Sequence, residues 1–221
     1  MSTPVAIQIE QAYLRNVLLA VELLDAVTLQ RVGSGVQVVV QGVEGKPIVN
    51  TSGYFVWPRQ GNAMPQKITV DPRSLPFESA ERDASEITLP LTTIELQPRV
   101  SYDFAAGITG LRGTLIEQRT PDPTPIGNAV VQLRWLDESG NWQDAPTSSH
   151  TDTNSGDFVS FLRLAQKERP EIDANGSVTV RLRVRRDGFQ RTSTDFTLLQ
   201  GRITDPSTLN PLTFAWDELQ P

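Results

Sequence analysis

No cysteine and a single histidine occur among the 221 residues. The missing thiols exclude a disulfide framework, a thiolate zinc site and a cysteine nucleophile together, so stability rests on burial and backbone pairing. Long hydrophobic runs are also missing: none approaches the ~20 residues of a membrane span. Residues 1–10 lack a basic region followed by a long apolar core, so neither export nor membrane insertion is expected, and the chain is placed in the cytoplasm until it is assembled. Positive charge is short, with 20 Lys and Arg against 26 Asp and Glu for a formal net charge of -6, which repels nucleic-acid phosphate unless a local basic face overrides it. Hydrophobic residues make up only 38%, but they cluster in dense runs of Val, Ile, Leu and Phe that can each bury one face of a strand.

Those runs read as β structure. Apolar residues recur with period two or in short β-branched stretches, and turn residues interrupt them at close intervals. Strands are expected at residues 18–23, 36–41, 53–57, 67–70, 87–96, 111–117, 129–136, 158–164, 178–185 and 196–203. A helix over residues 10–26 is the competing reading, because Tyr13, Val17, Leu18, Val21 and Leu24 fall near one helical face. The turn-like Asp25-Ala26-Val27-Thr28 favours the strand.

Turn chemistry predicts hairpins at Asp137-Glu138-Ser139-Gly140-Asn141 and at Arg186-Asp187-Gly188. Residues 58–65 and 71–82 are polar and rich in proline, asparagine and serine, and read as long surface loops. Pro98 and Gly107 punctuate a joining segment, which puts a boundary near Ala106. The expected plan is an N-terminal arm (1–15), a first β-sandwich (16–105) and a second β-sandwich with a C-terminal docking segment (106–221).

The two halves share an order of motifs. The first has Leu23-Leu24-Asp25, Val32, Val36-Gln37-Val38-Val39-Val40 and Thr51-Ser52-Gly53-Tyr54-Phe55-Val56. The second has Leu115-Ile116-Glu117, Ile126, Ala129-Val130-Val131-Gln132-Leu133 and Asn154-Ser155-Gly156-Asp157-Phe158-Val159. Periodicity of this length suggests a duplicated module. In each copy glycine permits a tight or positive-φ bend, and Phe55 or Phe158 drops into the core as the next strand begins.

Gly113-Thr114-Leu115-Ile116-Glu117, Pro125-Ile126-Gly127-Asn128-Ala129-Val130-Val131 and Thr151-Asp152-Thr153-Asn154-Ser155-Gly156-Asp157-Phe158 resemble the carboxypeptidase-regulatory-like, transthyretin-like β-sandwich modules, which are Ig-like in build. The resemblance covers most of residues 108–200, with one extra residue in the turn. Residues 16–105 share its outline and lack the Thr-Asp pair. It implies an all-β fold of two tandem small antiparallel sandwiches serving as accessory, non-catalytic modules for folding support, adhesion, partner contact or assembly.

Residues that could carry chemistry each have a plainer role. A histidine triad would have to be built on His150 with Ser148, Ser149 and Asp152, and no nucleophile-elbow pattern surrounds them. Asp152, Asn154 and Asp157 around Gly156 suggest a calcium loop, but the spacing departs from an EF-hand and Asx turn hydrogen bonding explains them. The acidic pairs Asp137-Glu138 and Asp217-Glu218 read as turn and surface charges, and Gly33-Ser34-Gly35 as a hairpin rather than a phosphate loop. Trp57, Trp135, Trp142 and Trp216 offer stacking surface for a sugar or a base, and core or rim packing is the plainer expectation. Arg181, Arg183 and Arg185 alternate with Val180, Leu182 and Val184, so a strand would place the arginines on one face, with Arg186 and Arg191 nearby, as a solvated, anion-facing or partner-facing stripe.

No catalytic, cofactor or metal residue is assigned. The expected function is a non-catalytic structural or assembly protein of a bacterial or phage particle, of the phage-tail-like contractile kind. Its partners would be other protein subunits or further copies of itself, and residues 5–10 would be a strand-like arm. A carbohydrate-binding or adhesive module is the alternative, and an acid-pair hydrolase the third reading.

Overall fold

The computed structural model describes residues 17–59, 61–164, 168–204 and 212–221, in a chain that divides into two compact units, Met1–Leu96 and Gln97–Pro221. The expected arm at residues 5–10 lies outside the described residues. The fold is all-β, and no described helix is long and apolar enough to cross a membrane.

In unit 1, β1 (Val17–Asp25) is an inner strand. It pairs antiparallel with β4 (Phe55–Pro58) and parallel with β7 (Leu91–Leu96), and β3 (Ile48–Val49) lies beyond β4. A second sheet joins β2 (Gln37–Gln41), β5 (Lys67–Asp71) and β6 (Ala80–Asp83) in the order β2-β5-β6. Period-two alternation decides what each strand buries. In β2, Val38 and Val40 point inward, whereas Val39 between them is 47% exposed. Leu19, Val21, Leu23, Phe55, Trp57, Ile68, Val70 and Ile94 are among the other buried residues of this unit.

In unit 2, β8 (Thr109–Ile116) pairs antiparallel with β12 (Asp157–Leu162) and parallel with both β16 (Ile203–Thr204) and β17 (Thr213–Ala215). The facing sheet is built on β9 (Val130–Leu136) and β13 (Ser177–Arg186). It adds β10 (Trp142–Asp144) and β11 (Ser149–His150) beside β9, and β14 (Phe189–Thr192) and β15 (Phe196–Leu199) beside β13. One hydrophobic cluster draws on both sheets: Leu111, Leu115, Phe158 and Leu162 from the first, and Val131, Leu133, Trp135, Val180, Leu182 and Val184 from the second.

The wiring of one unit recurs in the other. The Leu23 carbonyl accepts from the Val32 amide at 2.8 Å, and the Leu115 carbonyl from the Ile126 amide at 2.9 Å. Val21 stands opposite Phe55, and Gly113 opposite Phe158. Gly53 and Gly156 both have positive φ, at 82° and 71°, and the Phe that follows each is buried.

Several expectations need correction. The sheets containing β1 and β8 are mixed rather than antiparallel, because the strands that close them arrive by crossovers instead of hairpins. Residues 71–82 are not all loop: β6 adds to β5 with the polar sequence Ala-Glu-Arg-Asp, which an edge strand tolerates without apolar content. The strand expected over 87–96 begins only after Pro90, which has no N–H to give a ladder. The strand expected over 196–203 is split between two sheets by a turn in which Gly201 has φ 72°.

The joining segment placed before Ala106 is fastened within unit 2. Tyr102 is buried, and the Arg112 guanidinium donates to the carbonyls of Val100 and Tyr102 at 2.9 and 2.7 Å. The C-terminal residues, which the sequence lets either close the second sheet or dock on another subunit, take the first course. β17 extends the β8 sheet, Phe214 packs on Phe158 and Phe196, and Gln220 exchanges both backbone bonds with Thr192.

Candidate functional site

The outward face of β10, β9 and β13 in unit 2 is the densest array of charged and aromatic side chains among the candidates the sequence raised. Its construction follows from alternation: Val180, Leu182 and Val184 are fully buried, so Arg181, Arg183 and Arg185 stand on the other side. The antiparallel register sets Arg181 opposite Arg134 and Arg183 opposite Gln132, and sets Asp144 opposite Arg134 on the far side of β9.

Two carboxylates hold three guanidinium groups in place. Asp144 accepts from Arg134 Nε and from Arg183 Nη1, each at 2.7 Å, and Asp195 pairs with Arg181. Arg181 also lies over the Trp142 ring, its guanidinium carbon 4.1 Å from the centroid. Arg185 is exposed beyond them. Partial burial pushes the Asp144 carboxyl up, but the hydrogen bonds from Arg183 and Arg134 outweigh it, so the group stays below the usual carboxylate range. Arg183 Nε is buried without a hydrogen-bond partner among the described residues.

The basic group read from the sequence therefore divides. Arg181, Arg183 and Arg185 share the face, whereas Arg186 bonds Glu117 at 2.6 Å, and Arg191 stacks on Trp216 at 4.8 Å and donates to its carbonyl. Sequence reasoning missed Arg134, Asp144 and Asp195. The signal for Arg134 was present, since it alternates with Val131, Leu133 and Trp135 just as Arg181 does with its valines. Asp144 and Asp195 carry no such signal, because only strand register brings them to the arginines.

The other candidates resolve into structural roles. Ser149 and His150 are successive residues of β11, so their side chains leave on opposite faces: Ser149 is 3% exposed and His150 lies outward. A nucleophile and its base need one hydrogen bond between them, and this geometry denies it to Ser149 and His150. Asp152 Oδ1 accepts from the backbone N–H groups of Ser155 and Asn154, which hold its carboxyl below the ordinary range and make it a turn acceptor. Among the described residues no group of three His, Cys, Asp or Glu is placed to hold a metal ion.

Asp137 and Glu138 line a cleft of about 390 Å³ with Trp135, Gln143, Glu168 and Arg169. Asp137 accepts from the backbone of Asn141 and from the Gln143 side chain, which lowers its pKa and suits a hairpin acceptor rather than a general acid. Glu218 pairs with Arg119 at 2.8 Å. Gly33 passes so close to Gly53 that an added Cβ would sit 2.6 Å from its Cα, which gives the Gly33-Ser34-Gly35 turn a packing role. All four tryptophans are buried or lie beneath an arginine: Trp57 and Trp135 are in the cores, and Trp142 and Trp216 are stacked.

Compared with known proteins, the chain matches no family model, no curated protein and no solved structure.

Proposed function

We propose that this chain is a non-catalytic structural subunit of a multi-protein assembly, built from two tandem transthyretin-like or Ig-like β-sandwich modules, with the arginine face of unit 2 as a partner contact. One observation carries the reading: on a chain of net charge -6, the four arginines Arg134, Arg181, Arg183 and Arg185 gather on a single sheet face, where Asp144 and Asp195 are the carboxylates that pair with them among the described residues. Such a face steers and orients an acidic partner surface, and a copy of this acidic chain supplies one.

The stacked guanidinium of Arg181 and the shared Asp144 favour contact over catalysis. They hold Arg134, Arg181 and Arg183 in fixed geometry before a partner arrives, which lowers the ordering cost of association. The recurrence of one wiring in both units supports a duplicated module. In its narrower form the reading places the chain in a phage-tail-like contractile particle, by analogy with small β modules that adapt or decorate such machines.

Light scattering behind size exclusion, over a wide range of concentration and of salt, tests this. A defined oligomer whose mass falls with added salt and with Arg185→Glu is the expected result. A strict monomer at every concentration and ionic strength would count against self-assembly through this face.

A further inference from the structure

β2 lies at an edge of the three-stranded sheet in unit 1, and among the described residues β5 is the strand it pairs with. Its counterpart in unit 2 is β9, which pairs with β13 in the same way: Val38 faces Val70 as Val131 faces Val184, and Val40 faces Ile68 as Leu133 faces Leu182. Yet β9 carries β10 and β11 along its other side. The position covered in unit 2 by residues 142–144 and 149–150 has no described strand in unit 1.

An edge strand presents a row of backbone donors and acceptors to any extended chain, and proteins blunt such edges with charge, proline or bulges. At other edges, β6, β7, β10, β12 and β14 each include at least one charged residue, while β3, β11, β15, β16 and β17, which have no Asp, Glu, Lys or Arg, are only two to four residues long against five in β2. β2 reads Gln-Val-Val-Val-Gln, with neither charge nor proline, and Val39 stands 47% exposed on its outward side.

The chain itself contains a sequence that fits this edge. Val5-Ala6-Ile7-Gln8-Ile9-Glu10 alternates β-branched with small or polar residues, the pattern of a half-buried strand. Laid beside β2, Val5, Ile7 and Ile9 extend the inward row of Val38 and Val40. Ala6, Gln8 and Glu10 join the outward row of Gln37, Val39 and Gln41. Residues 11–16 then separate this segment from Val17, a reach of about 20 Å, enough to bridge adjacent molecules. Val17 opens β1, an inner strand of the sheet that does not contain β2.

We propose that β2 is the acceptor edge for residues 5–10 of a second copy of this chain. The inference rests on the assembly reading and gives it a second, separate contact. Donor and acceptor are different surfaces, so each copy gives one strand and receives one, closing as a reciprocal pair or a ring.

The test uses the full chain and two variants outside the cores, Ile7→Asp in the donor and Val39→Lys at the acceptor. Molar mass is read by light scattering and protection of the β2 amides by hydrogen exchange. Each variant is expected to weaken association by about tenfold or more while the thermal midpoint stays unchanged. An equimolar mixture of the two is expected to regain association, since one retains an intact edge and the other an intact donor. A monomer whose β2 protection still depends on Ile7 would show the segment capping its own copy and would overturn the proposal. So would an oligomer indifferent to both variants. If that indifferent oligomer falls apart with Arg185→Glu, the assembly reading stands without this contact.

Discussion

Arg181 lies over Trp142 with its guanidinium carbon 4.1 Å from the ring centroid, while its Nε pairs with Asp195. One tryptophan of unit 2 thus serves an outward arginine, and another, Trp135, fills the core at 2% exposure. Replacing each by alanine separates the two roles. Trp135→Ala is expected to cost about 3–5 kcal/mol, and Trp142→Ala about 0.5–2 kcal/mol. Urea denaturation of both variants decides it, and equal losses would remove Trp142 from the face.

Gly156 is conformationally required. Its φ is 71°, and an added Cβ would fall 2.4 Å from the Leu115 carbonyl oxygen, whereas Gly140, at φ 78°, has open space around it. Gly140→Ala is expected to cost about 1 kcal/mol from backbone strain alone. Gly156→Ala should cost clearly more, because the backbone must also move. Thermal midpoints of the two variants give the comparison, and similar midpoints would contradict the packing argument.

Acid should destabilise unit 2 through its held carboxylates. The folded Asp144 and Asp152 carboxyls lie below their ordinary values, Asp152 because of the Ser155 and Asn154 backbone N–H groups. A depressed folded pKa means that the stabilisation is complete above the unfolded value of about 3.9 and is lost as pH falls through the folded value. Unfolding midpoints should therefore drop below about pH 4. Asp144→Asn, which cannot titrate, should make that decline shallower, and an unchanged acid limb would rule Asp144 out as a contributor.

The segment before Ala106 should behave as part of unit 2. Arg112 clasps the carbonyls of Val100 and Tyr102, and Phe104 packs against both Tyr102 and Phe161. Arg112→Ala is expected to cost about 1.5–3 kcal/mol, the range for hydrogen bonds to a charged group, and to speed tryptic cleavage after Arg99. Cleavage at the wild-type rate would mean that the clasp does not hold the segment.

How far the fold could be read follows from which signals are local. The ten expected strand positions all contain observed strand, because a buried β-strand writes either an alternation or a short apolar run into four or more successive residues. The short strands β3, β11 and β16, of two residues each, offer no period to detect. β6 has no apolar residue larger than Ala80 and forms because β5 has an edge to offer. The candidate face was half legible: Arg181, Arg183 and Arg185 announce themselves along one strand, but Asp144 and Asp195 meet them only through pairing across strands.

By itself the sequence determined the all-β class, the Gly-x-Phe turns and the inward rows of valine and leucine, since these depend on local conformational preference and on the two-residue period. Tertiary structure alone decided that the closing strands run parallel to β1 and β8, that residues 97–106 belong with unit 2, and which carboxylates anchor the arginines. Those outcomes depend on register and on contacts between residues distant in the chain. Burial and hydrogen bonding select among such pairings only once the sheets have formed.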